Sequence, residues 1–181
     1  MPEKITLYHG TIYQFETPDI SKGKPFKDFG IGFYTSRDKR HAERMALRNK
    51  DIELSRIYKK DINRHIDALL YSFEFDLWNL NVLNIKEFKK ADRAWMRFVI
   101  MNRTHREPEH NYDMVIGPTA NDNTLTAIGL FFAGAYGEIK SDTAIDRLIE
   151  QIEPNKLPQQ YFFGSMKAAS LLALKSKETL P

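Results

Sequence analysis

Apolar and polar positions alternate along several short stretches of the chain, which is the pattern of half-buried β-strands. The clearest stretch places four apolar side chains on one face: Leu69, Tyr71, Phe73 and Phe75. Other short apolar runs bounded by polar residues are also typical of strands. The predicted strands are Ile5–His9, Phe29–Thr35, Leu69–Phe75, Leu80–Ile85, Tyr112–Gly117 and Gln160–Phe163.

Other segments carry apolar residues three and four positions apart, which is the spacing of helices. The predicted helices are Arg37–Lys50, Lys90–Arg103, Thr124–Tyr136, Thr143–Ile152 and Met166–Ser176. Thr124–Tyr136 is apolar almost all round, so we expect it to be buried. The polar stretch Asp51–Asp67 fits either an extension of the first helix or a surface insertion. Strands and helices mixed in no strict βαβ order predict the α+β class.

The length of the chain predicts a single domain covering residues 1–181. The chain has no cysteine, which excludes disulfides, thiolate metal sites and a cysteine nucleophile. The net charge of +3 fits an ordinary solvated surface as well as a weak nucleic-acid footprint. The N-terminus lacks the pattern of a signal peptide, and the longest apolar stretch of the chain, Ala127–Tyr136, is too short to span a membrane. We therefore expect a cytoplasmic protein that makes no membrane contact.

The first candidate site is Tyr8-His9-Gly10-Thr11, at the end of the first predicted strand. Glycine lets a ligand approach the backbone, and the imidazole of His9 can donate or accept a hydrogen bond. The alternative is a histidine that only caps the strand end.

The second candidate is Asp28–Thr35, where Gly30 and Gly32 interrupt an aromatic strand. Glycine weakens strands, so two glycines here would make room for a flat ligand beside Tyr34. The alternative is a bulge that places Phe33 and Tyr34 in the core.

The third candidate groups Asp113 with Asn121 and Asp122, around the strand Tyr112–Gly117. Asn121 and Asp122 also favour the cap of the following helix, which is the structural alternative. The histidines show no metal-binding spacing, so no metal site is predicted.

In chain order, the motifs Leu7–Gly10, Asp28–Thr35, Tyr112–Asp122 and Gln160–Phe163 resemble the ADP-ribosyltransferase superfamily. The likeness is to its diphtheria-toxin and poly(ADP-ribose)-polymerase branch, which carries a His-Tyr-Glu triad. A poorly characterised bacterial family of transferase-like proteins, with Leu-Tyr-His-Gly and Asp-Phe-Gly-x-Gly-Phe-Tyr motifs, is nearer still. The resemblance covers most of the chain. It implies an α+β fold with a split two-sheet β core, flanking helices and an NAD cleft.

The resemblance also implies site roles. His9 would bind a ribose hydroxyl of NAD⁺, the Gly10 backbone would hold the nicotinamide amide, Thr11 would lie near the adenosine, and Tyr34 would stack on the nicotinamide ring. Further cofactor-binding positions would be Asp28, Phe29, Gly32 and Arg37. NAD⁺ would serve as co-substrate, without a metal. The acceptor would be a macromolecule, either protein or nucleic acid, and a small neutralising antitoxin protein is implied as partner of a toxin.

One position departs from the triad. Gln160 stands where the branch has its catalytic glutamate, and an amide brings no negative charge and cannot act as a general base. Asp113 or Asp122 could supply the missing carboxylate. We therefore expect a mono-ADP-ribosyltransferase of toxin type. The alternatives are an NAD glycohydrolase, a non-catalytic module that binds NAD or ADP-ribose, and a plain nucleic-acid-binding protein.

Overall fold

Seven strands and five α-helices form the regular structure in the computed structural model, which describes residues 3–57, 65–108, 110–139 and 141–181. The strands are β1 (Lys4–Thr11), β2 (Phe33–Ser36), β3 (Ala68–Asp76), β4 (Ile85–Glu87), β5 (Met114–Pro118), β6 (Gln159–Phe163) and β7 (Ala173–Leu180). The helices are α1 (Lys39–Ile57), α2 (Arg93–Thr104), α3 (Asp122–Phe132), α4 (Asp142–Glu150) and α5 (Met166–Ala169). Short 3₁₀ helices cover Ile20–Lys22, Leu77–Val82 and Pro154–Lys156.

The strands pair side by side in the order β4-β5-β6-β2-β1-β3-β7. All neighbours are antiparallel except β4 and β5, which are parallel. β1 pairs with β3 along its whole length, whereas it pairs with β2 only where Tyr8 faces Ser36. The predicted α+β class is confirmed.

Two hydrophobic cores lie on opposite faces of this sheet, because successive side chains of a strand point to opposite sides. We call them the helix-side core and the loop-side core. The helix-side core includes Phe29, Trp95, Phe131, Ile145 and Phe162. The loop-side core includes Leu7, Phe33, Tyr161 and Phe163, together with the four alternating side chains that the sequence predicted for β3. That prediction is confirmed.

The second strand is shorter than predicted. It begins at Phe33, and residues 29–32 form a loop before it. Gly30 has a φ of +91°, a conformation that glycine adopts without the cost a side chain would bring. The ring of Phe29 turns into the helix-side core, which holds the loop in place. The prediction that Gly30 and Gly32 lie in a strand is therefore wrong.

The predicted strand Leu80–Ile85 is also wrong over most of its length. Leu77–Val82 forms a 3₁₀ helix, because the Asp76 carboxylate accepts a hydrogen bond of 2.8 Å from the Trp78 backbone N–H at its start. A strand follows only at Ile85–Glu87.

The largest error in the sequence prediction lies at the C-terminus. The predicted helix Met166–Ser176 stops at Ala169, and after a short turn strand β7 runs along β3 from Ala173. The residues of this segment favour a helix by themselves. Pairing with β3 overrides that preference, and the hydroxyls of Ser72 and Ser176 meet across the two strands at 2.7 Å.

Helix α3 is only half-buried, although its sequence predicted a buried helix. It reaches the core through Ala127, Ile128 and Phe131, while Leu130 and Phe132 remain exposed. A helix at the protein surface contacts the core through one side only, so apolar residues on its other side stay in solvent. The undecided segment Asp51–Asp67 continues α1 as far as Ile57, and residues 58–64 lie outside the described residues.

Candidate functional site

The imidazole of His9 lies half-buried on the loop side of the sheet, near the end of β1. Its Nδ1–H donates to the backbone carbonyl of Tyr34 in β2, at 2.7 Å. The imidazole stacks on Phe33 with ring centroids 4.3 Å apart and meets the edge of Phe15 at 5.8 Å. His9 is thus held in one orientation by a hydrogen bond and two aromatic contacts.

Burial lowers the pKa of His9 to about 4, and the hydrogen bond to the Tyr34 carbonyl opposes this only in part. The imidazole is therefore neutral at pH 7. Because Nδ1 carries the proton, Nε2 keeps a lone pair and can accept a hydrogen bond from a hydroxyl.

This lowered pKa predicts a pH-dependent stability. The unfolded chain binds a proton at His9 as the pH falls below about 6.5, whereas the folded protein does so only near 4. The contribution is complete above pH 6.5 and is lost on acidification through that window. We expect urea unfolding at pH 7 and pH 4.5 to show an acid-induced loss about 2 kcal/mol smaller in His9→Gln than in the wild type.

The control for this measurement is His65→Gln, because the His65 side chain is 81% exposed. It should follow the wild-type pH dependence. Equal acid-induced losses in wild type and His9→Gln would contradict the burial argument.

The hydrogen-bonded ladder between β1 and β2 ends at Tyr8, directly before His9. Beyond the pair Tyr8–Ser36, no further residues of the two strands are in register, although β1 continues to Thr11 and β2 begins at Phe33. The His9 imidazole takes the place of main-chain pairing by bonding the Tyr34 carbonyl. The backbones of Gly10 and Tyr34 thus border a break in the sheet.

The side chain of Tyr34 lies on the other face, against the helix-side core. Its hydroxyl donates to the Gly30 carbonyl at 2.7 Å and accepts from the Phe29 N–H at 3.1 Å. Burial, and secondly the negative charge of Asp28, raise its pKa well above the usual value. The hydroxyl is therefore neutral and fully engaged with the loop before β2, so Tyr34 can offer a ligand only its ring.

The space at two motif glycines is filled by the protein itself. A side chain at Gly10 would overlap the backbone carbonyl of Ala42 in α1, and one at Gly32 would overlap the ring of Phe162. The interpretation of Gly32 as room for a ligand is therefore wrong at its side-chain position, and a ligand could approach the Gly10 backbone only from a side that α1 does not cover. Glycine is needed there because α1 and β6 pack directly against the backbone.

A buried carboxylate cluster lies on the helix side. Asp28 is 4% exposed, and its Oδ1 accepts from Arg103 Nε at 2.8 Å and Nη2 at 2.5 Å. Its Oδ2 accepts from the Ala120 backbone N–H at 2.9 Å and from Gln160 Nε2 at 2.8 Å. We call Asp28, Arg103, Gln160 and Ala120 the Asp28 cluster. It joins the loop before β2 to α2, β6 and the start of α3.

Gln160 acts in this cluster as a hydrogen-bond donor. Besides Asp28, its Nε2 bonds the Pro118 carbonyl at 3.3 Å, and the residue is 6% exposed. Tyr34 faces Phe162 across the two strands, and Gln160 lies two residues before Phe162 on β6. The side chain of Gln160 therefore lies on the same face as that of Tyr34. His9 lies on the opposite face, so the three predicted catalytic side chains border β1, β2 and β6 without sharing one face.

Asp113 lies at the far end of β5. Gly117 is the residue that faces Gln160, so four residues, or about 13 Å of strand, separate Asp113 from it. Asp113 accepts hydrogen bonds from Ser165 Oγ at 2.5 Å, from the Asn84 N–H and from Lys167. Burial raises its pKa, but these hydrogen bonds together lower it. Asp113 thus links three segments of the fold by hydrogen bonds. It lies too far from Gln160 to supply the carboxylate that is missing there.

The other predicted positions are scattered. The side chain of Phe29 is fully buried and out of reach of a ligand, whereas Arg37 is exposed just beyond β2. Thr11 is buried, and its Oγ1 accepts from the Tyr13 N–H at 3.2 Å. Asp122 opens α3, with Asn121 as the predicted cap, and the side chain of Asp122 lies outside the described residues.

Arg103, which completes the Asp28 cluster, was not predictable from the sequence. An arginine in the last turn of a helix is common, and nothing in its neighbours indicates a partner 75 residues earlier. The aromatic surroundings of His9 were not predictable either. Phe15 lies in the loop after β1, and its edge contact with the imidazole depends on how that loop folds back.

Among the described residues, no helix is long and apolar enough to cross a membrane. The same residues contain no group of three or more histidine, aspartate or glutamate side chains placed to hold a metal ion.

Comparison with known protein families gives a match over most of the chain. A family model described as "Protein of unknown function (DUF3990)" matches residues 5–174, which is almost the whole chain. No curated protein and no solved structure matches the chain.

Proposed function

The chain belongs to the DUF3990 family of proteins of unknown function, and we propose that it is a mono-ADP-ribosyltransferase-like protein that uses NAD⁺ to modify a macromolecular target. The observation that carries this proposal is the break between β1 and β2, with His9 on one face and Tyr34 on the other. The proposal further assigns it the role of a cytoplasmic bacterial toxin with a small neutralising antitoxin as partner.

The break supports the predicted split core. It divides the seven strands into one group with the order β4-β5-β6-β2 and another with the order β1-β3-β7. A flat group entering the break would meet the backbone of Gly10 at its edge. That edge can bind an amide through main-chain N–H and C=O groups, which is the chemistry a nicotinamide requires.

His9 is suited to bind a sugar. Its Nε2 is the acceptor left free by the Nδ1–H bond to Tyr34, so it can receive a ribose hydroxyl proton. The neutral imidazole also avoids repulsion with the positively charged nicotinamide ring. The ring face of Tyr34 can stabilise that cation through its π-electrons.

In the proposed reaction the bond between the nicotinamide nitrogen and ribose C1′ breaks, and nicotinamide leaves with the bonding electrons. A nucleophile of the acceptor then forms a new bond to C1′ and loses its proton. Positive charge develops at the ribose, where a carboxylate would stabilise it. Neither Gln160 nor Asp113 can supply that charge, so Asp122 is the remaining position among those that the sequence nominated.

A second candidate function is a non-catalytic module that binds NAD or ADP-ribose. The observation in its favour is Gln160, whose side chain is buried and bonded to Asp28. NAD glycohydrolysis is the same bond cleavage with water as acceptor, and it needs the same charge at the ribose.

Removal of His9 tests the proposal. We expect His9→Ala to weaken NAD⁺ binding about tenfold or more in calorimetry. The variant loses the imidazole and with it the proposed hydrogen bond from the ribose hydroxyl to Nε2. Incubation of the wild type with NAD⁺ and cell extract should release nicotinamide and leave ADP-ribose on protein or nucleic acid, detected by mass spectrometry.

The matched control is His65→Ala, an exposed histidine outside the site. Equal NAD⁺ affinity in His9→Ala and His65→Ala would refute the site. Binding of NAD⁺ without nicotinamide release would favour the binding module, nicotinamide release without an adduct would favour the glycohydrolase, and absence of binding would refute all three.

A further inference from the structure

A cavity of about 300 Å³ opens on the helix side of the sheet, away from His9. It lies between β4, α2 and the residues before β5. The side chains that line it are mostly aromatic or basic, and none is acidic: Lys86, Phe88, Ala94, Arg97, Phe98, Met101, His110 and Tyr112. Its volume is at the lower end of that of small-molecule sites.

The wall of this cavity consists of rings tilted by about the same small angle. His110 lies 5.0 Å from Phe98 at 32° and 5.4 Å from Tyr112 at 31°, measured between ring centroids and planes. Phe98 is nearly buried, whereas His110 and Tyr112 are half-buried. The two half-buried rings therefore offer surface for stacking with a planar ligand.

Both nitrogens of His110 are engaged with the backbone. Nε2–H donates to the Phe29 carbonyl at 2.8 Å, and Nδ1 accepts from the Tyr112 N–H at 3.3 Å. Burial lowers the pKa of His110, with the bond to Phe29 opposing it. The imidazole is thus a neutral flat surface whose orientation is already set.

The cationic side of the cavity is formed by Lys86 and Arg97. Arg97 is neutralised by Asp142, whose Oδ1 accepts from Nη2 at 2.5 Å. Lys86 forms no ion pair with any residue that the structure describes, and its ammonium lies 5.2 Å from the centroid of the Phe88 ring. Lys86 is therefore the charge available to a ligand.

We propose that this cavity binds a nucleoside monophosphate group, with the base against His110 and Tyr112 and the phosphate toward Lys86. Stacking surface beside a cation suits that chemistry, since every base has a π-face and the phosphate is anionic. The volume admits a single nucleotide. This site does not depend on the proposed function, because the sheet separates it from His9.

The test uses uridine 5′-monophosphate, which lacks the adenine and nicotinamide of NAD⁺. We expect calorimetry to detect its binding, and Lys86→Gln to weaken it about tenfold through loss of the charge-assisted contact. Uridine, which lacks the phosphate, should bind the wild type about as weakly as uridine 5′-monophosphate binds Lys86→Gln. The control Lys89→Gln removes an exposed lysine outside the cavity lining and should bind as the wild type does.

Further measurements show whether the nucleotide comes from a nucleic-acid strand or is free, and whether it binds in the cavity or at His9. Hexauridylate binding well above that of the monophosphate, and dependent on Lys86, would identify a nucleic-acid strand as the source. Equal affinities would identify the free nucleotide. Binding that survives Lys86→Gln but is lost in His9→Ala would overturn the proposal, and so would absence of binding at about 5 mM, well beyond the weak affinities of single-nucleotide sites. If the wild type shows no NAD⁺ turnover but binds uridine 5′-monophosphate, only the proposed function would be rejected.

Discussion

Replacing Arg103 by methionine is expected to lower the free energy of unfolding by about 3–5 kcal/mol at pH 7. Arg103 donates two hydrogen bonds to Asp28, whose side chain is 6% exposed. Methionine keeps most of the apolar volume but leaves the carboxylate buried without its countercharge. The Ala120 N–H and the Gln160 amide are neutral donors and cannot replace a full positive charge. Urea unfolding followed by circular dichroism measures the effect.

Arg97→Met is the matched control, because Arg97 also pairs with an aspartate but both side chains are about half exposed. Its effect should stay below about 1 kcal/mol, as for other surface pairs. A second variant separates charge from packing. Adding Asp28→Asn to Arg103→Met removes the buried charge, so the double variant should recover part of the loss. Equal effects of Arg103→Met and Arg97→Met would show that the Asp28 cluster does not hold the fold together.

Replacing Gln160 by glutamate, the residue of the resembled triad, is expected to cost about 2–4 kcal/mol at pH 7. The amide Nε2 donates to Asp28 Oδ2, and a carboxylate in its place would set two negative charges together in a buried site. The repulsion and the burial both favour the protonated form of the new glutamate. Its pKa should therefore be raised, and the destabilisation should grow as the pH rises from 5 to 8.

Gln159→Glu is the control for this change, because Gln159 is the exposed neighbour on the same strand. It should unfold almost as the wild type does at every pH. Unfolding of Gln160→Glu that matches the control would contradict the donor role of Gln160. On the proposed function, Gln160→Glu should also fail to raise NAD⁺ turnover, since the new carboxylate would face Asp28 and Arg103 rather than a ligand.

The sequence predicted the central strands well because their pattern reports a local fact, namely which side chains face which side. Alternation in β3 placed Phe73 and Phe75 in one core, and β1 and β6 were found nearly to the residue. β7 was missed for the opposite reason. Its residues prefer a helix locally, and only β3, about 100 residues earlier in the chain, supplies the main-chain partners that make the segment a strand.

The candidate site was predictable in part. His9 and Tyr34 stand in short motifs, and the structure places both at the break between β1 and β2. Their opposite faces depend on a register that no motif states. The roles of Asp28 and Gln160 in one buried cluster were not predictable, because each residue type also suits a cap or a ligand contact.

By itself, the sequence determined the α+β class, most of the strands and helices, and the exclusion of thiol chemistry. Those properties follow from composition and from the period of apolar residues, which are local. The tertiary structure alone decided that Gly10 and Gly32 make room for α1 and β6, that Gln160 donates to Asp28, and that Nδ1 rather than Nε2 of His9 carries the proton. Each of these depends on which distant segment packs against a residue, and that is a property of the folded chain.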